Sequence, residues 1–65
     1  MFEIKSYGRT ELAQLYAPDL LPQGAYRRLM RWMKANPQLN YLTRIHRRTF
    51  TPAQVAKIVK ELGEP

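Results

Sequence analysis

Between Pro22 and Pro37 the chain reads PQGAYRRLMRWMKANP, which sets Arg27, Arg28, Arg31 and Lys34 among Tyr26, Leu29, Met30, Trp32 and Met33. Cations at this density have one obvious chemistry, which is to neutralise an anion. Arginine adds geometry, because its planar fork delivers two hydrogen bonds to a phosphate or a guanine edge. A second cluster, Arg44, Arg47 and Arg48 in RIHRR, follows closely, and Arg9 precedes both. Eight of the eleven basic residues lie between Arg9 and Arg48, where the only acids are Glu11 and Asp19.

Other chemistries lack their groups. Acid–base catalysis needs paired groups held within reach, and Glu3, Glu11, Asp19, Glu61 and Glu64 are scattered along the chain. His46 stands alone beside Arg47 and Arg48, whose charges oppose its protonation. Cysteine is absent, which removes disulfides and thiolate metal sites, and the three isolated glycines form no phosphate loop. The expectation is a protein that is not an enzyme, with no metal, no cofactor and no small-molecule substrate.

The cations depend on the elements that carry them. Pro22 suits the first position of a helix, and Asn36-Pro37 suits its end. At 100° per residue, with Ala25 at zero, Trp32, Leu29, Met33, Tyr26 and Met30 cover an arc from about −20° to 140°. Lys34, Arg27 and Arg31 fall at about 180° to 240°, and Arg28 near 300° at the other margin. Segregation of this kind also describes any surface helix with a wet side. The compact RIHRR cluster favours a binding surface, since clustered cations repel unless something anionic lies over them. Trp32 is expected to pack in the core with Leu29 and Met33, and Tyr26 borders the basic face.

Around this helix, TELAQLYA predicts a first helix with Thr10 as N-cap and Leu12, Leu15 and Tyr16 as its apolar face. Pro18 stops it. The last helix is the clearest: Thr51 and Gln54 form a capping box, and Pro52 takes the first position. Val55, Ile58, Val59 and Leu62 make its core stripe, and Gly63 ends it. FEIKSY alternates like a short strand. Residues 37–50 stay open between a short helical turn carrying Leu39 and Leu42 and an extended arm. The expected fold is mainly α, a single three-helix, helix-turn-helix-like domain over residues 1–65, compatible with a short β pair between residues 2–5 and 46–50.

A chain of 65 residues has room for one small core, and its net charge of +6 favours anionic partners. No stretch approaches a membrane span, and MFEIKSYGR lacks the apolar run of a secretion signal, so a cytoplasmic place is expected.

The stretches SYGRTELAQLYAPDL, AYRRLMRW and FTPAQVAKIVKELGEP resemble a family of small proteins from Bacteroides and relatives, catalogued as domain of unknown function 4248. Ser6-Tyr7-Gly8 with Glu11-Leu12-Ala13, and Thr51-Pro52 with Gly63-Glu64-Pro65, carry the resemblance. It implies a compact helical module like those that bind DNA, and it carries no assigned activity. The chain departs from that pattern at Leu21, where relatives tend to place Ser or Thr, and in a shorter connection between Trp32 and Phe50.

Together these features predict a binder of double-stranded DNA, with the first helix as brace and the second as reader. Gln23, Tyr26, Arg27 and Arg31 are placed to touch bases. Arg28, Lys34, Arg9, Arg44, Arg47 and Arg48 supply further cations for phosphates. A homodimer or protein partner is the accompanying expectation, and a protein-interaction or self-association module is the alternative. RNA or an acidic membrane rests on charge alone.

Overall fold

Glu11 decides where the first helix begins. In the computed structural model, which describes residues 2–45 and 47–65, strand β1 (Tyr7–Gly8) runs directly into helix α1 (Arg9–Tyr16). Gly8 is extended at the N-cap, and its amide donates to Glu11 Oε1 at 3.0 Å. The helix therefore starts two residues before the expected position, and Thr10 lies inside its first turn. The earlier start brings Arg9 into the helix, and the inner stripe is Arg9, Leu12, Ala13 and Tyr16, spaced i, i+3, i+4 and i+7. Leu15, expected on the apolar face, falls outside the stripe and is 42% exposed.

Helix α2 (Pro22–Ala35) begins at its proline and ends at Asn36, as expected. Leu21 caps it with no side-chain hydrogen bond. The chain then turns through residues 37–39 into a single 3₁₀ turn (Asn40–Arg44), so Arg44 is not part of an extended arm. Strand β2 (Thr49–Phe50) leads into helix α3 (Pro52–Leu62). Its capping box is complete: Gln54 N donates to Thr51 Oγ1 at 3.2 Å, and Thr51 N donates to Gln54 Oε1 at 2.9 Å.

The expected β pair forms nearer Gly8 than the strand pattern indicated. Tyr7 lies opposite Phe50 and Gly8 opposite Thr49, in antiparallel register. Residues 2–5 are not a strand, because local contacts bend them back. Phe2 stacks on Tyr7 at 5.3 Å between ring centroids, and the Tyr7 hydroxyl donates to the Glu3 carbonyl at 2.7 Å. His46, the other end of the expected pairing, lies outside the described residues.

Leu12, Leu29, Met33, Leu39, Leu42, Phe50, Val55 and Ile58 are fully buried and come from every element except β1. Each such side chain contributes about 1.5–3 kcal/mol of transfer free energy. No buried side-chain nitrogen or oxygen among the described residues lacks a hydrogen-bond partner. Among the same residues, no helix is long and apolar enough to cross a membrane.

Candidate functional site

The outer side of α2 carries a ridge. Arg27, Arg31 and Lys34 are spaced i, i+4 and i+7, which stacks them on one side of the helix, and all three are exposed. With Tyr26 and Met30 they line an open groove of about 330 Å³. Tyr26 and Met30 are half-buried against the core and give the groove an apolar floor. The long aliphatic stems of the cations can lie along such a floor while their charged heads stay wet. Among the described residues the one ion pair is Lys5 with Glu3, at 3.7 Å. The ridge cations are therefore not neutralised by the chain's own carboxylates.

Arg9 ties the second cluster to this ridge. From the inner stripe of α1 its Nη1 donates to the Tyr26 hydroxyl at 3.2 Å. Its Nε donates to the Arg47 carbonyl and its Nη2 to the Ile45 carbonyl. Its guanidinium also lies 4.9 Å from the centre of the Phe50 ring. The Arg9 backbone amide adds a bond to the Arg48 carbonyl at 3.2 Å, prolonging the β pair by one step. The segment bearing Arg47 and Arg48, both exposed, is thereby held beside Tyr26 at one end of the groove.

At the other end Asn40 makes a comparable link. Its Nδ2 donates to the Lys34 carbonyl at 2.9 Å, and its Oδ1 accepts from Arg44 Nη2 at 3.2 Å. Arg44 is thus seated off the C-terminal turn of α2, close to Lys34. The negative end of the helix dipole favours cations there.

The remaining expected residues separate. Gln23 is exposed on the first turn of α2, one turn before Arg27. Arg28 leaves the ridge and lies 5.9 Å over the Trp32 ring. Trp32 corrects the core expectation: it is 39% exposed, covered on one side by a T-shaped contact with Tyr16 at 6.3 Å. It stands at the edge of the apolar arc, and so small a core covers only the arc's centre, where Ala25, Leu29 and Met33 are buried. Trp32, Ala35, Pro37 and Leu62 contribute to a second open groove of about 460 Å³, with Glu61 on its wall. Met33, expected in the core with Leu29, is wholly buried.

Met30 and Asn40 escaped sequence reasoning. Met30 carried no signal beyond its place on the arc. Asn40 was legible only as a polar residue near a helix end, and its partners, Lys34 and Arg44, meet it only once the chain turns from α2 into the 3₁₀ turn. Among the described residues no group of three His, Cys, Asp or Glu is arranged to hold a metal ion.

The family model for the domain of unknown function DUF4248 matches residues 3–65. No curated protein and no solved structure matches the chain.

Proposed function

We propose that this chain, which belongs to the domain-of-unknown-function family DUF4248, is a small non-enzymatic protein that binds double-stranded DNA in the cytoplasm. Its ligand-binding surface would be the α2 ridge together with the flanking 3₁₀ turn and loop. The observation that carries the reading is the unneutralised set of Arg27, Arg31, Lys34, Arg44, Arg47 and Arg48, tied around one helix by Arg9 and Asn40. A helix bearing a cationic ridge, preceded by a brace helix and a turn, suits insertion into a major groove in the helix-turn-helix manner. In that manner Gln23, Tyr26, Arg27 and Arg31 approach bases, and the other four cations hold phosphates.

The connection between α1 and α2 spans Ala17 to Leu21, longer than the usual three or four residues. A single module this small buries little DNA surface, so a dimer would supply the remaining affinity.

The test is a titration of a short fluorescent DNA duplex across salt concentration. With about four phosphates neutralised, log affinity falls against log salt with a slope of about −3.6. Replacing Arg27 and Arg31 together with Ala lowers affinity and relaxes base preference while leaving the slope nearly unchanged, and the melting curve stays close to wild type. No duplex binding at low salt would overturn the proposal. Unfolding of the double variant would make these side chains structural.

Self-association is a second reading, favoured by the exposure of Trp32 beside the apolar groove and of Leu21 at 82%. Light scattering over a range of concentration decides it. A strict monomer at high concentration removes it.

A further inference from the structure

Arg9 was expected among the phosphate-binding cations, yet its side chain is spent within the fold. It occupies the inner stripe of α1 with Leu12, Ala13 and Tyr16. Three of its donor nitrogens are engaged, two on carbonyls of the loop before β2 and one on the Tyr26 hydroxyl. Its face rests on Phe50. A guanidinium turned inward in this way holds chain rather than ligand.

We propose that Arg9 is a positioning residue, which fixes the loop carrying Arg47 and Arg48 against the flank of α2 before any ligand arrives. The consequence for affinity rests on the DNA-binding reading. Two of the six surface cations lie on a segment with no helix or strand of its own. Ordering such a segment at the moment of binding costs conformational entropy, and a pre-ordered loop avoids that cost. Arginine suits the task where lysine does not. Its planar fork reaches both carbonyls and the hydroxyl at fixed angles, whereas an ammonium is a point charge on a flexible stem.

Arg9→Lys separates the two roles, because it retains the charge and removes the fork. Duplex affinity is measured for wild type, Arg9→Lys, Arg47→Ala with Arg48→Ala, and the triple variant. A positioning role predicts that Arg9→Lys loses roughly tenfold in affinity in the wild-type background and almost nothing once both loop arginines are gone. Equal losses in the two backgrounds, or wild-type affinity for Arg9→Lys, overturn the proposal.

A second measurement uses the unaltered protein. On adding duplex, the Arg9 Nε–H resonance stays in place while the side-chain resonances of Arg47 and Arg48 move. A shift of Arg9 comparable to theirs means direct contact and refutes the assignment. In the free protein, backbone order parameters at Arg47 and Arg48 fall in Arg9→Lys. An unchanged loop there counts against Arg9 holding it, whether or not duplex binds. Wild type that binds no duplex, with a loop loosened by Arg9→Lys, sinks the DNA reading alone.

Discussion

Tyr16 joins all three helices through one side chain. Its ring meets Trp32 of α2 edge-on, and its hydroxyl donates to the Gly63 carbonyl, at 2.5 Å, just past the end of α3. Burial, and then the nearby Glu64 carboxylate, push its ionisation from the ordinary 10 up to about 12. Between those values the unfolded chain has released this proton and the folded chain has kept it. Stability from this group is therefore complete below pH 10 and is lost as pH rises toward about 12. Thermal melts of wild type and Tyr16→Phe, compared across this window, isolate the effect. Wild type loses melting temperature more steeply, and parallel profiles would show that the hydroxyl does not titrate with folding. The same scale contains the contrast between two arginines one element apart. Arg9 is drawn inward because carbonyls and an aromatic face await it. Arg27 stays in water because only its own helix lies beside it.

The elements differ in how well their ends are secured. α3 has a reciprocal cap in Thr51 and Gln54, whereas α2 starts from Leu21, whose side chain satisfies none of the free amides. Leu21 is 82% exposed, so replacing it removes almost no packing. Its backbone is already extended, at φ −65° and ψ 157°, the conformation an N-cap requires. Leu21→Ser should therefore stabilise the protein by about 1 kcal/mol, read as a higher urea midpoint with an unchanged slope. A lower midpoint would mean that Leu21 makes an apolar contact in solution, as the self-association reading requires. At the end of α3, Gly63 has φ 88° and ψ 170°, a conformation open almost only to glycine. Its carbonyl is the one Tyr16 reaches.

Across the whole molecule, a body of 26 × 25 × 21 Å is narrower than one turn of DNA, about 34 Å. One copy therefore reads part of a turn, which is why the proposed affinity calls for a second. The same smallness concentrates stability in few side chains. Phe50 is fully buried, pairs with Tyr7 across the strands and supports the Arg9 guanidinium. Phe50→Ala should cost about 3–5 kcal/mol, against a total of roughly 3–10 kcal/mol for a chain of this length. Its amide spectrum should show a large unfolded population at 25 °C. A well-dispersed, fully folded spectrum would mean that the core closes over the gap.

Helix positions were legible in the chain because their causes are local. Pro22, the Thr51–Gln54 box and Gly63 act over three or four residues, and α2 and α3 begin and end where those signals stand. Of the two readings open for residues 37–50, the short helical turn anchored by Leu39 and Leu42 is the one that forms around Leu42, as a 3₁₀ turn. The cationic ridge followed from 3.6-residue periodicity alone. Three features lay beyond such reading: the inward turn of Arg9, the outward place of Trp32, and the strand register at Tyr7 rather than Phe2. Arg9 meets partners 17 to 38 residues away, and no local pattern encodes them. Trp32 shows that periodicity finds the centre of an apolar arc but not its covered edge, which depends on how far neighbouring elements extend. Local hydrogen bonding and side-chain spacing determined the helices and their charged face; packing across the chain decided which cations remain free to meet an anion.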